Sequence, residues 1–233
     1  MAITREKFKV YKNVFDAFTE RTLLKLSSQG HFDELKSPVF VGKESNVFTA
    51  SKGGETVIVK IYRLESCDFN RMFDYIKKDI RYSGLKKQRR KIIFAWVQRE
   101  YRNLMIARES NVNVPTPLAV LNNVLVLQMI GRKIPAQRVK NQIPKNPRQF
   151  FKKVLDSMKK LNKAGLVHGD LSEYNILNHE ESPYFIDFSQ ATLLKSPNSE
   201  ELVQRDAKNI ARFFSKMGVK TTEEEILKYV SGK

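Results

Sequence analysis

The chain has 233 residues, enough to bury a sizeable core in one domain or two small ones, and its composition is that of an ordinary globular protein. A formal net charge of +17 points toward polyanions such as nucleic acids and nucleotides, solubility or a lysine-rich bias being the bland alternative. The single cysteine, Cys67, has no partner for an internal disulfide, and no Cys/His cluster accompanies it.

The N-terminus shows no apolar run ending in a small-residue cleavage site, so an intracellular, cytoplasmic protein is expected. The most apolar stretch, Val114 to Ile130, is interrupted by prolines, asparagines and Gln128, and is not a membrane span.

In chain order, Asn13 to Leu35 reads as helical, with Val14, Phe18, Leu23, Leu24 and Leu26 in imperfect helical period and Gly30 as a stop. Three short antiparallel strands follow: Val39 to Val41, Val47 to Ala50, and Thr56 to Tyr62, separated by Gly42 and by Gly53-Gly54. Phe69 to Lys91 is strongly basic, with Gly84 in its middle, and is expected to be a flexible loop with helix at its ends. A helix should run from Phe94 to Glu109, with Trp96, Val97, Tyr101, Leu104 and Met105 on one face. Leu118 to Leu121 and Val124 to Met129 make a hairpin around Asn122-Asn123, and Gly131 opens a polar connection that reads as a hinge.

The next helix is the best marked in the chain. Asn146 suits the N-cap, Pro147 the first turn, and Gly165 the position after the C-terminus. Small strands around Ile176-Leu177 and Tyr184 to Ile186 follow, then one or two helices after Glu200. Strands first and helices later, joined by a hinge, predict an α+β, two-lobed fold: a helical extension over 1–36, an antiparallel sheet lobe over 37–131 with the flexible loop at about 69–91, and a reduced, mainly helical lobe over 132–233.

The strongest chemical signal is His168-Gly169-Asp170 followed by Asn175, the skeleton of a kinase catalytic loop. Phosphoryl transfer asks a protein for positioning and charge neutralisation. A carboxylate, Asp170, can align an acceptor hydroxyl and take its proton; an amide oxygen, on Asn175, can ligate Mg²⁺. Both residue types also favour loops for ordinary turn reasons. Twelve residues after Asn175, Asp187 ends the apolar run Tyr184 to Ile186, where a second metal ligand should sit.

Upstream, Val57-Ile58-Val59-Lys60 fits the strand lysine that pairs with ATP phosphates. Period-two alternation puts Ile58, Lys60 and Tyr62 on one face, directing Lys60 into a cleft with Ile58 over the adenine. Glu100 is the expected ion-pair partner, with Glu109 the competitor. The phosphate-covering loop, Gly42 to Val47, has one glycine and no GxGxxG. Lys43 and Ser45 could touch phosphate there, and Val47, thirteen residues before Lys60, could cap the base.

With these residues in order, the chain resembles the RIO family of atypical serine/threonine protein kinases, in the compact archaeal form of its type-one subgroup. His168 to Leu177 matches that family's catalytic loop, Ile186 to Gln190 is similar to its metal-binding segment, and Gly42 to Val47 is similar to its GKEANV loop with Ser45 in place of Ala. About forty residues before the nucleotide loop leave no room for the winged-helix domain of the type-two subgroup. The resemblance implies ATP with Mg²⁺ (or Mn²⁺) as cofactor, Leu127 behind the adenine, and backbone contacts from Gln128 and Ile130. It also implies Leu177 and Ile186 as the pocket floor, and Asp187 as an acceptor of phosphate in an aspartyl intermediate. It further implies a protein substrate including the chain itself, with Ser66 and Ser83 as candidate autophosphorylation sites. A role in small ribosomal subunit maturation, with pre-ribosomal and rRNA contact and no membrane, completes what it implies. A small-molecule kinase of the aminoglycoside-phosphotransferase type and an ATPase switch of ribosome assembly are the rival readings.

Overall fold

A computed structural model describes residues 15–232. Backbone contacts divide the chain into two units. The first takes the chain up to Asp74, Leu85–Tyr101 and Thr116–Met129; the second takes Tyr75–Gly84, Arg102–Pro115 and Ile130 onward. The residues 75–84 and 102–115 thus group with the second unit, although the sequence had placed all of 37–131 in one lobe.

The first unit is built on a five-stranded antiparallel sheet. Its strands are β1 (Glu34–Val41), β2 (Ser45–Lys52), β3 (Glu55–Tyr62), β4 (Pro117–Leu121) and β5 (Val124–Gln128), in the order β1-β2-β3-β5-β4. Alternation sorts the sheet into two faces. Phe48, Ala50, Val57, Val59, Ile61 and Val126 point to one face and form a core with Leu23, Leu26 and Phe32. Leu23 and Leu26 belong to α1 (Ala17–Ser28), whose N-cap Asp16 accepts hydrogen bonds from the N–H groups of Phe18 and Thr19. Helix α1 is shorter than the expected Asn13 to Leu35 because Gly30, with φ of +76°, turns the chain and β1 begins at Glu34. Asn13 and Val14 lie outside the described residues. The opposite face carries Val47, Lys60 and Leu125 in register, with Ile58 beside Leu127.

The basic segment after β3 is not one loop. It holds α2 (Phe69–Ile76) and a 3₁₀ turn, Ile80–Tyr82, and α3 (Arg89–Glu109) starts five residues before the expected Phe94. Phe69, Met72, Phe73 and Ile76 recur at helical spacing, and Met72 and Ile76 are buried. Asp79 organises the turn: fully buried, it accepts from the backbone N–H and the guanidinium of Arg81, the latter at 2.6 Å. Arg81 also donates to Asn103 at 2.9 Å. The helices lie at the two ends of the segment, where the sequence allowed them, and the middle, read as loop, holds the 3₁₀ turn that Asp79 organises.

The second unit is mainly helical. Helix α4 (Pro147–Lys163) begins at Asn146, whose side chain accepts from Gln149 N–H, and ends before Gly165 at φ of +74°. Helix α5 (Ser199–Ser215) and α6 (Glu223–Ser231) pack with it, α6 being opened by a Thr222/Glu225 capping box. Small strands complete the unit: β6 (Gln137–Arg138), β8 (Ile176–His179) and β9 (Ser182–Phe185) form one sheet, and β7 (Leu166–Val167) pairs with β10 (Thr192–Leu193). A sheet unit and a helical unit make the α+β division expected. No helix among the described residues is long and apolar enough to cross a membrane.

Candidate active site

In the first unit, Lys60 sits mid-sheet on β3, flanked by Val47 on β2 and Leu125 on β5. Its ammonium donates to Glu100 Oε1 of α3 at 2.8 Å, and both groups are buried. The other oxygen, Oε2, accepts from the Tyr62 hydroxyl at 2.6 Å. Tyr62 lies two residues along from Lys60 on the same face, so a single carboxylate is held at both oxygens by one strand. Buried charges require such pairing, since desolvation of either alone is costly. Tyr62 was read only as a face-sharing residue; its hydroxyl role needed the helix position to be seen.

The Gly42 turn is closed by Gly42 N–H donating to Ser45 O at 3.0 Å. A Cβ on Gly42 would lie 2.6 Å from the exposed Phe40 ring and 3.2 Å from Ser45 O, so a side chain there would have to displace the ring. Lys43 is exposed and Ser45 half-buried. The backbone carbonyl of Lys43 accepts from Ser66, and that of Glu44 from the Cys67 thiol. Burial pushes the Cys67 thiol up to about 12, which suits an inert packing residue. At the end of β5, Gln128 N–H donates to Thr116 O at 2.8 Å. Leu127 is buried behind it.

In the second unit the loop after β7 carries the acid–amide set. Asn175 Nδ2 donates to Asp170 at both its backbone oxygen (2.8 Å) and Oδ2 (3.2 Å). That commits the amide nitrogen to Asp170 and turns the amide oxygen the other way. Ile186 N–H donates to Asn175 O at 3.0 Å, so the residue before Asp187 is hydrogen-bonded to Asn175. Asp187 adopts φ of +63°, a left-handed conformation that non-glycine residues reach at a cost, and Ser189 Oγ donates to its Oδ1 at 2.8 Å. Leu177 and Ile186, both half-buried, flank this pair, and the Ile130 carbonyl accepts from Ala136 N–H at 2.7 Å.

His168 is buried against Phe185 and Phe188. Its Nε2 lies 3.0 Å from Ile186 O and its Nδ1 accepts from Asp170 N–H at 3.3 Å. Those partners require the neutral tautomer protonated on Nε2. The histidine is therefore a strut between the two acidic segments. It is not a proton-transfer group.

Asp206 of α5 was not singled out from the sequence, yet it holds this loop. Its Oδ2 accepts from Gly169 N–H and its Oδ1 from Leu171 N–H, both at 2.8 Å, one on each side of Asp170. Asn209, one turn along α5, donates to Leu171 O at 3.2 Å. Burial raises the Asp206 carboxyl to about 7, against the lowering effect of the two N–H donors. Neighbouring Arg205 donates to the Tyr75 hydroxyl and to Gln190 Oε1. Burial works to lower its pKa, and the Tyr75 contact with the Asp170 and Asp206 charges outweighs that, leaving it raised. The available signal was an acid inside the apolar stripe Leu202, Ile210, Phe214.

No group of three or more His, Cys, Asp or Glu side chains able to hold a metal occurs among the described residues. An amide oxygen and one carboxylate still fit Mg²⁺, which takes few protein ligands and fills its octahedron with phosphate and water oxygens.

A family model described as the RIO domain matches residues 46–227. A protein of Haloferax volcanii named RIO-type serine/threonine-protein kinase Rio1 is 39% identical over 229 residues, covering 97% of this chain and 79% of that protein. A protein of the same name from Methanocaldococcus jannaschii is 43% identical over 230 residues, covering 98% and 79%. Among solved structures, the Rio2 kinase-ADP/Mg²⁺-phosphoaspartate complex from Chaetomium thermophilum aligns with a TM-score of 0.69 at 24% identity, over 92% of this chain and 67% of that one. That last likeness speaks to the fold alone.

Proposed function

Because the chain belongs to the RIO family of serine/threonine-protein kinases, we propose that it moves the γ-phosphate of ATP onto Ser or Thr hydroxyls of protein, itself included. The observation that carries the assignment of roles is the bonded unit of Asp170, Asn175 and the Asp187 segment. Asp170 aligns the acceptor hydroxyl and takes its proton as the oxygen bonds to the γ-phosphorus and the bond to the bridging oxygen breaks, releasing ADP. Asn175 and Asp187 hold Mg²⁺ (or Mn²⁺), which neutralises phosphate charge when bound. Lys60, kept in place by Glu100 and Tyr62, takes the α- and β-phosphates. The Gly42 turn, with Lys43 and Ser45, covers phosphate. Val47, Ile58, Leu177 and Ile186 supply apolar contact to the base, with the Gln128 carbonyl and Ile130 N–H as its hydrogen-bond partners.

A second reading concerns Asp187. The Rio2 structure from Chaetomium thermophilum is described as a phosphoaspartate complex, and in this chain the strained backbone and the Ser189 contact single out the corresponding carboxylate. An aspartyl phosphate on Asp187, hydrolysed in turn, would make the chain an ATPase switch. The +17 charge supports work beside RNA, in maturation of the small ribosomal subunit.

Incubation of wild type, Asp170→Ala and Asp187→Ala with γ-labelled ATP and Mg²⁺ tests both readings. Acid-stable label on Ser or Thr, lost in both variants, establishes protein phosphorylation. Hydroxylamine-labile label alone, with free phosphate, establishes the ATPase. Full labelling by Asp170→Ala would remove Asp170 from the mechanism.

A further inference from the structure

Between Glu109 and Asp156 the chain has no acidic residue, and one part of that span carries Arg132, Lys133, Arg138, Lys140, Lys145 and Arg148. A run of cations is ordinarily a solvated face. This one is laid along β8, the strand that leaves Asn175. Lys140 N–H reaches Glu173 O at 3.3 Å and Val139 N–H donates to Ile176 O at 2.8 Å. Strand β6 then pairs with β8, and Asn178 Nδ2 donates to Gln142 O at 3.1 Å. Lys145 N–H closes onto Glu181 at 2.8 Å. The strip therefore starts at the catalytic loop and ends at the β8–β9 turn.

Its exterior is not simply charged. Ile134 and Ile143 are 71% and 60% exposed, and Tyr174, in the catalytic loop itself, is 44% exposed. Isolated exposed aliphatics are common on any surface. Here they sit in one cationic segment that touches the loop carrying Asp170. Two carboxylates at its border are engaged: Glu180 pairs with Arg132 at 2.6 Å, and Glu181 accepts from Lys145 N–H.

We propose that this strip is the docking surface for the phosphoacceptor, a protein segment whose Ser or Thr is flanked by acidic and aliphatic residues. The proposal rests on Asp170 being where the acceptor hydroxyl is placed. Charge complementarity selects the acidic flank, and Ile134 and Ile143 offer contact that aliphatic side chains can use. A single-stranded RNA is the less suited occupant. Such strands stack successive bases on aromatic faces, whereas residues 131–148 contain no Phe, Tyr or Trp, and the hydroxyl of the neighbouring Tyr174 accepts from Lys140 Nζ at 2.7 Å.

The test uses the full chain and two fluorescein-labelled serine peptides, one with Asp/Leu flanks and one with Arg/Leu flanks. Binding is read by anisotropy and phosphorylation by γ-label, with ATP hydrolysis without peptide measured in parallel. Wild type is compared with Lys133→Glu/Lys145→Glu and with Ile134→Ser/Ile143→Ser, which spare Lys140 because it touches the catalytic loop. The acidic peptide is expected to bind at least about ten-fold tighter than the basic one, and each double variant to weaken it by about ten-fold. The charge variant should also flatten the salt dependence. Equal binding of the two peptides, or unchanged binding in both variants, overturns the proposal. So does loss confined to binding of a single-stranded RNA oligonucleotide. Tight binding without transfer would sink the kinase reading and leave the docking surface standing, so the two failures are distinguishable.

Discussion

Gly169 N–H donates to Asp206 Oδ2 at 2.8 Å, across 37 residues of sequence, and Leu171 N–H donates to the other oxygen of the same carboxylate. Asp170 is thus carried on a backbone gripped on both sides by one buried side chain. The backbone under Asp170 is held from α5, while the contact to the Asp170 carboxylate itself comes from Asn175 Nδ2 at 3.2 Å.

Removing that grip should be costly. Asp206→Ala leaves two buried N–H groups without an acceptor, each worth about 1–3 kcal/mol. A lower Tm by calorimetry and a fall in kcat without a matching change in nucleotide affinity are expected. Asp206→Asn retains one acceptor oxygen and should lie between. Wild-type kcat in Asp206→Ala would show that the loop is held by something else.

The same carboxylate makes stability depend on pH. Its folded pKa of about 7 stands above the ordinary 3.8, so the folded state binds more protons than the unfolded state between those values. Its contribution is fully present below pH 3.8, is lost as pH rises toward 7, and is constant above that. Wild type minus Asp206→Asn, followed by urea unfolding across pH 4 to 8, should show this fall; a rise over that window would contradict it.

Glu100 is the common acceptor of Lys60 and Tyr62. Tyr62→Phe removes a hydrogen bond to a charged group and should cost about 1.5–3 kcal/mol of stability. Lys60→Met leaves a buried carboxylate with one donor fewer and should cost more, about 3–5 kcal/mol, with ATP binding weakened as well. Additivity of Tyr62→Phe and Glu100→Gln in a double-mutant cycle would mean that the two side chains do not act through each other.

Gly169→Ala isolates backbone geometry from chemistry. Gly169 has φ of +78°, and an added Cβ would stand 3.0 Å from Gln190 O and 3.3 Å from Leu202 Cδ1. The left-handed conformation alone costs about 1–2 kcal/mol. Destabilisation of at least that size, with reduced transfer, is expected from calorimetry and the γ-label assay together.

Much of this was readable along the chain, where the signal was local. Asn146, Pro147 and Gly165 bounded α4 because caps and positive φ depend on neighbouring residues. Ile58, Lys60 and Tyr62 shared a face because strand alternation is fixed by the pleat. The basic segment after β3 was legible at its ends, where helix was expected, but not in its middle, because the Asp79–Arg81–Asn103 contacts reach beyond local spacing. Asp206 stayed hidden because an acid in an amphipathic helix looks solvent-facing until the packing of that helix is known.

By itself the sequence set the order and spacing of Lys60, Asp170, Asn175 and Asp187, which loops and strand ends can present and which are covalent facts. Tertiary structure decided how these groups are held. Glu100 meets Lys60 and Tyr62 across 40 and 38 residues of chain, and Asp206 reaches the catalytic loop from a helix that follows it. Such contacts form only when burial brings distant elements together and each desolvated polar group must find a partner there.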